Sequence, residues 1–493
     1  MLSHYRSLCD LVCRFTTSPI RLLKAKSPVA DPFTVFPPAD TSQGSIPPGP
    51  SGHWLFGCTK ELQRDLMGFA VRTVQEYGHY VRVRFAPGIY MYLLAHPDAV
   101  EHVLQKRHQN YRKPGVFTKP LSLLGGNGLF TSNGDHWRRQ RKLMQPAFHK
   151  NSLALLFPHM VTAIRACLCD LAQTPQSDVA DALPAMMKLA LGIAGITLFS
   201  ADISEAHEIA SAYHTAVNVL SRRIWSISSG PAWLPTPSNR TFASAKFVLD
   251  RFVTEIIAAR RAATSRPNDV LSVLLDARDE ETCLSMTDRQ LVEEAHTLLF
   301  AAHETTGASF AWAWYLLAQH PEVQDDLYEE VQSKLAGRDP TAEDLYELPL
   351  TRAVYEEVLR LYPPAAGQAR QAIEADQING FNIPANAIIY VSQFVTQRHP
   401  DFWDEPERFK PERFLPGGSA GRHKFAYFPF GSGPRVCIGA SLALVEGMLV
   451  IAMTVLEFRF ELAPGQSIRP DATFVLRPEP GVKVILTPRS GLA

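Results

Sequence analysis

Phe430-Gly431-Ser432-Gly433-Pro434-Arg435-Val436-Cys437-Ile438-Gly439 places one cysteine among three glycines, directly ahead of a strongly apolar segment. Gly431, Gly433 and Gly439 allow backbone conformations and close approach that a side chain would block, so the loop can lie nearly flat against a planar macrocycle. From Ile438 to about Leu456 the pattern turns helical. Cys437 therefore stands at a helix N-terminus, where the dipole and unpaired N–H groups favour a thiolate. Such a sulfur reads as a ligand for haem iron. Phe430 can pack on the sulfur side, and Arg435 can reach a haem propionate with its forked guanidinium. The other six cysteines read as small buried hydrophobes.

With Phe430, Gly433, Arg435, Cys437 and Gly439 in register, the stretch resembles the cysteine-loop signature of the cytochrome P450 family, Phe-x-x-Gly-x-Arg-x-Cys-x-Gly. Length alone suggests about three domains. The resemblance implies a soluble, bacterial-like member with one mainly α (α+β) domain over residues 45–493, built on a long central helix and small β-sheets. Residues 1–44 are then a basic, proline-rich extension.

The chain has 493 residues, 46% of them hydrophobic, and its 49 basic and 49 acidic residues balance. That composition gives no support for bulk nucleic-acid binding. Seven cysteines without a repeated Cys-x-x-Cys spacing make neither a disulfide framework nor a zinc site, and a reducing, cytoplasmic compartment fits best. Cys9 with Cys13 and Cys167 with Cys169 read as incidental pairs. Met1 to Lys26 holds no apolar run near the ~20 residues that span a bilayer, so no transmembrane anchor is expected there. Its basic residues instead suit a flexible extension, a peripheral membrane contact or an organellar presequence. Pro37-Pro38 and Pro47-Pro48-Gly49-Pro50 mark the linker to the body.

Tyr80–Phe85 and Ile89–Leu94 flank Pro87-Gly88 and predict a hairpin. Pro97 to about Gln105 reads as a short helix and Asn110 to Asn133 as a long functional loop. A helix is expected from about Asp135 to Pro146. Residues 150–280 read as mostly helical, interrupted at Ser228-Ser229-Gly230-Pro231 and Leu234–Ser238, where the resemblance implies a mobile roof. Thr287-Asp288-Arg289-Gln290 is a capping-box pattern, and one helix is expected from there to about Gln319, ahead of His320-Pro321.

The resemblance assigns the remaining candidates. Trp137 and Arg141, four apart on one helix face, together with Arg370 and Arg435, are expected at the haem propionates. Glu304 and Thr305 are expected beside oxygen as proton managers. In Ala301-Ala302-His303-Glu304-Thr305-Thr306 the polar trio by itself suits a surface face, and the Thr305 hydroxyl can bond a carbonyl one turn back and open the helix. Ala302 stands where many members have glycine, and its methyl would crowd the oxygen groove. Glu357 and Arg360 alone form an ordinary i, i+3 pair worth ~0.2–0.5 kcal/mol. With Arg413, the resemblance implies a buried network behind the ligand loop. Substrate contacts are expected from Phe117, Leu121, Leu124, Leu298, Ala301, Ala365, Ala366, Phe474 and Val475, all apolar. Gln368 is the one polar candidate, and a structural hydrogen bond is its expected role.

The implied activity is haem-b-dependent monooxygenation, inserting one oxygen atom of O2 into a lipophilic terpenoid, fatty acid or polyketide-like molecule. The sequence shows no Gly-rich dinucleotide fingerprint, so a separate ferredoxin or flavodoxin with its reductase is expected as electron donor. Arg138, Arg139 and Lys142 are the expected docking charges for it. A haem-thiolate isomerase or dehydratase acting on preoxidised substrate, and a non-catalytic haem sensor, are the competing readings.

Overall fold

Thr287 starts the helix against which much of the molecule packs. Its hydroxyl accepts the Gln290 N–H at 3.3 Å, and the Gln290 side chain accepts the Thr287 N–H at 2.9 Å, completing the capping box. The helix runs Asp288–Leu317, 30 residues, and at 1.5 Å per residue crosses roughly 45 Å. Its second half, Ala308 to Leu317, is apolar on nearly every face and is buried on nearly every face. Gly307 lets a neighbour approach: a Cβ there would meet Met187 Sδ at 2.5 Å and Met187 Cα at 3.0 Å. The neighbour is the helix Ala182–Phe199.

The computed structural model describes residues 45–86, 89–173, 179–203, 206–225 and 230–489. Residues 1–44, the Pro87-Gly88 turn and Ser228-Ser229 lie outside them, with the sequence readings that fall there. The described residues are mainly helical. Strands Tyr80–Ala86 and Ile89–Leu94 pair antiparallel as expected. They belong to a five-stranded sheet in the order Tyr80–Ala86, Ile89–Leu94, Ile388–Val391, Gln368–Ala372, Tyr111–Arg112. Helices His207–Trp225 and Pro237–Ala262 follow the order read from sequence, the latter capped by Thr236.

Asn110 to Asn133 departs from the expected loop. It holds the strand Tyr111–Arg112 and the helix Gly115–Gly125, which tolerates Pro120 in its interior. Leu124 of that helix is buried in the core and Leu121 packs against it, so tertiary burial overrides the breakers that made the segment read as irregular.

Three helices, Lys150–Ala172, Ala182–Phe199 and Ala440–Glu457, are long and apolar enough to cross a membrane by length and composition. In this fold all three bury residues in the main core. The five described cysteines are free.

Three helices meet at Tyr355. Its hydroxyl and Ser309 Oγ lie 2.9 Å apart, and a Cβ on Gly447 would stand 2.1 Å from its ring. Coulombic contact with Glu446 also reaches it. Glu446 is buried, and burial pushes its carboxyl up to about 8. An unfolded chain ionises near the ordinary 4.5. Below that value both states are protonated. Above it the unfolded state binds fewer protons, so stability falls with rising pH until the folded pKa is passed. Glu446→Gln should flatten this slope, gaining stability relative to wild type at about pH 8 and much less at about pH 5. Thermal unfolding at the two pH values checks it, and an equal Tm difference at both would exclude Glu446 as the titrating group.

Candidate haem site

The loop before helix Ala440–Glu457 is shaped by two of its glycines. Gly431 and Gly433 sit at φ 72° and 68°, and a Cβ on Gly433 would fall 1.9 Å from Leu104 O. Gly439 differs from expectation: its φ is −89°, and its nearest Cβ neighbour is Phe148 at an ordinary 4.0 Å. Its contribution is a backbone N–H directed at the Cys437 sulfur. The Cys437 N–H donates to Phe430 O at 2.9 Å, closing the loop. Cys437 keeps accessible surface although the chain around it is dense, so the sulfur faces interior space. Burial pushes its thiol up, and the Gly439 N–H and Arg141 only pull it back. A coordinated metal deprotonates such a ligand.

Beside this loop the cations outnumber the anions. The Arg435 guanidinium lies 4.1 Å from the Trp137 ring centroid and donates to Ser132 O and Asn133 Oδ1 at 3.2 and 3.1 Å. Arg141 donates to Val436 O at 2.8 Å. Arg370 is pushed down to about 10 by burial and then by Arg435. It donates to Ala369 O at 2.9 Å and to Gln368 Oε1 at 2.7 Å, which gives Gln368 its structural bond. Lys113, absent from the sequence reading, completes the group. Its ammonium donates to Leu129 O and Phe130 O at 3.1 and 2.5 Å, and burial, Arg435 and Arg370 push its pKa well down. The acid facing it, Glu294, is itself pushed up to about 7 by burial. Several partly desolvated cations that repel one another suit a dianionic group, and the two propionates of haem are one. The donor set and the deep sulfur thus fit haem. The only sequence signal for Lys113 was its place in the Gly-, Pro- and Lys-rich segment.

Behind the loop, Glu357 and Arg360 are both 0% exposed. Arg360 Nε and Nη2 donate to the Glu357 carboxylate at 2.7 and 2.8 Å, and the Lys410 N–H adds a third bond at 2.8 Å. Arg413 Nε approaches Glu357 to 3.5 Å. Arg360 also donates to Gln397 O, Pro406 O and Arg408 O. Gln397 then links this cluster to the ligand loop: its amide donates to Leu359 O and Arg360 O and its Oε1 accepts the Phe428 N–H at 2.9 Å. The spacing alone describes an ordinary pair; the structure has the buried Glu357–Arg360–Arg413 network that the resemblance implied.

On the long helix, Glu304 and Thr306 are buried and Thr305 is half-buried, so the polar trio is not a solvated face. The Thr305 hydroxyl donates to Ala301 O at 2.6 Å, yet the helix stays α-helical through this bond and does not open. Burial pushes the Glu304 carboxyl up, with Arg477 opposing. Ala302 packs against the core.

Leu121 and Leu124 line a small, partly open cleft with Phe130, Thr131, Leu220, Thr297 and Phe300 among its other walls. Phe300, missed from sequence, lies edge-on to Phe130 and Phe474 with centroids 6.2 and 5.1 Å away. Ala301 and Ala365 keep accessible surface, whereas Leu298, Ala366 and Val475 are buried. The carbonyl of Ala366 accepts from Phe394 N and Ser392 Oγ. Phe117 lies on the helix Gly115–Gly125 and is not among that cleft's walls.

The expected docking charges are not a free basic patch. Arg138 pairs with Asp135, Arg139 with Asp279 at 3.4 Å, and Lys142 with Glu280 at 2.8 Å. Acids brought in by the 279–280 segment neutralise two of them, which no local pattern shows.

A mainly helical fold with a cysteine loop facing interior space, backed by a buried ion-pair network, defines a haem-thiolate protein. The chain belongs to the cytochrome P450 family, whose model matches residues 47–486. Cyclooctat-9-en-7-ol 5-monooxygenase of Streptomyces melanosporofaciens is 34% identical over 91% of this chain and 95% of its own length. Pentalenene oxygenase of Streptomyces avermitilis is 30% identical over 92% and 98%. The structure of retinoic acid bound cyanobacterial CYP120A1 superposes with a TM-score of 0.81 at 27% identity, covering 90% of this chain and 99% of that one. The protein is a cytochrome P450 monooxygenase with a haem-thiolate cofactor.

Glu357→Ala leaves Arg360 buried without its carboxylate, and breaking such a pair costs ~3–5 kcal/mol. The variant should lose Tm and haem content together, read by calorimetry and by the haem-to-protein absorbance ratio. Unchanged values for both would show that the network does not support the loop.

Proposed function

We propose that this enzyme inserts one oxygen atom of O2 into a C–H bond or alkene of a lipophilic molecule, terpenoid-like, fatty-acid-like or polyketide-like. Electrons come from a separate ferredoxin or flavodoxin and its reductase. The observation that carries the substrate reading is the apolar wall of Leu121, Leu124, Phe130 and Phe300, extended by the Phe474 ring. The Streptomyces relatives named for cyclooctat-9-en-7-ol and pentalenene agree with a hydrocarbon-rich substrate.

Haem bound through cysteine sulfur supplies the reduction of O2 and the oxygen transfer. Cys437 would be the ligand, and Trp137, Arg141, Arg370, Arg435 and Lys113 would hold the propionates. Phe430 and Gly439 flank the sulfur. Phe130 and Phe300 fix the substrate and exclude water beside Ala301. Thr305 holds a proton at Oγ1, directed to Ala301 O in the resting arrangement. Glu304, whose carboxyl burial pushes up against the opposing Arg477, is the neighbouring proton source. Glu357, Arg360 and Arg413 support the loop from behind.

A spectral titration with lipophilic compounds tests the substrate class: terpenoids, fatty acids or polyketides should displace iron-bound water and shift the haem band, whereas silence across all three would overturn it. Cys437→His should keep part of the haem and lose the long-wavelength band of the reduced carbon-monoxide complex, because imidazole donates less charge to iron. An unchanged band would identify another ligand. Thr305→Ala should leave substrate affinity nearly intact and divert electrons to peroxide. Equal product per NADPH consumed, in variant and wild type, removes Thr305 from proton delivery.

A further inference from the structure

Three histidines from distant segments converge. His79 immediately precedes the strand Tyr80–Ala86, His96 caps the helix Pro97–Glu101, and His399 follows the short helix Gln393–Thr396. The His79 ring lies 4.3 Å from His399 and 5.1 Å from His96, centroid to centroid. Asp401 completes the group: its Oδ2 is 3.0 Å from His79 Nε2 and 3.8 Å from His399 Nδ1. One ligand atom from each of His79, His399 and Asp401 falls within 4.8 Å of the other two.

We propose that His79, His399 and Asp401 form a binding site for a divalent first-row transition cation, independent of haem. Imidazole nitrogen and carboxylate oxygen bind zinc at ~2.0–2.2 Å, and tetrahedral angles then set neighbouring ligands roughly 3.4 Å apart. The distances of 3.0 and 3.8 Å bracket that edge for the two pairs that involve Asp401, the third pair lies within 4.8 Å, and a cation at His399 Nδ1 would displace the Asp401 N–H that this nitrogen accepts at 3.2 Å. Asp401 is 49% exposed while the His399 side chain is fully buried. The fourth corner therefore opens to solvent, which supplies both an entry path and a water ligand.

The protonation state suits the same chemistry. Burial first, and the neighbouring imidazoles second, push His79 and His399 down, the latter to about 3; Asp401 opposes at His79. His96 is lowered as well, by burial and then by His423, with Asp98 and Asp401 opposing. Neutral imidazoles are what a metal requires, and imidazole with carboxylate suits zinc, cobalt or nickel better than calcium or magnesium.

Position gives the site a role. His399 lies two residues beyond Gln397, the residue that ties Arg360 to Phe428. A cation there joins the start of the sheet to the segment that braces the ligand loop, without touching substrate.

The test uses haem-loaded enzyme, treated with chelator, dialysed against zinc and then against metal-free buffer, with zinc and iron counted by mass spectrometry. Wild type should hold about one zinc per haem iron and gain Tm over the chelated form. The double variant H79Q/D401N should lose at least nine-tenths of the zinc and all of the Tm gain. Its iron content and carbon-monoxide band, unchanged from wild type, verify the fold. X-ray absorption at the zinc edge should report imidazole and oxygen neighbours. Asp98, Glu101 and His423 form a neighbouring cluster, so H423N should retain zinc. No zinc in wild type overturns the proposal, as does zinc that survives in H79Q/D401N or disappears only in H423N.

Discussion

The buried carboxylate of Glu357 is the constraint on which the haem side depends. It cannot be solvated, so it must be paired, and it is satisfied by Arg360, the Lys410 N–H and Arg413, drawn from three points of the chain. Arg360 spends its other donors on the carbonyls of residues 397, 406 and 408. These contacts hold the irregular segment after Gln393–Thr396 against the helix Pro349–Leu361, and through Gln397 and Phe428 they reach the loop that carries Cys437. An ion pair of this kind is weak as a source of net stability. Its value lies in leaving few other arrangements of the loop with every buried polar group satisfied.

The loop faces an electrostatic environment that the protein alone does not balance. Burial lowers Lys113, Arg370 and Arg435; Arg435 and Arg370 lower Lys113 further, Arg435 lowers Arg370 further, and burial raises Cys437. Both penalties are relieved by a ligand that brings carboxylates to the cations and a metal to the sulfur. Haem binding and folding of this side are therefore linked, since a group that binds only the folded state stabilises it by mass action.

The long helix does two jobs with one surface pattern. Its second half is buried all round and anchors Tyr355 through Ser309. Near its middle Ala301 keeps accessible surface, and the Thr305 hydroxyl is tied to its carbonyl. Phe300 turns one residue away and joins Phe130 and Phe474. A rigid helix thus sets the distance between a proton-holding hydroxyl and an aromatic wall.

Features with a local cause were legible in the sequence. The capping box at Thr287, the positive-φ glycines at 431 and 433, and the i, i+3 spacing of Glu357 and Arg360 depend on residues within one turn of each other, and a resemblance in motif order tied the last pair to Arg413. Features decided by distant segments were not. The helix Gly115–Gly125 exists because its leucines find the core despite Pro120. The cations at 139 and 142 are neutralised by acids at 279 and 280. Lys113 reaches Arg370 and Arg435 only after the sheet and the ligand loop have come together. At Cys437 burial raises the thiol while the Gly439 N–H and Arg141 lower it, a balance that depends on everything packed around the sulfur as well as on the local turn. Residue type and spacing determined which groups this chain carries and how each turn closes; tertiary packing decided which of them lost their water, and hence which are charged, paired or ready to bind.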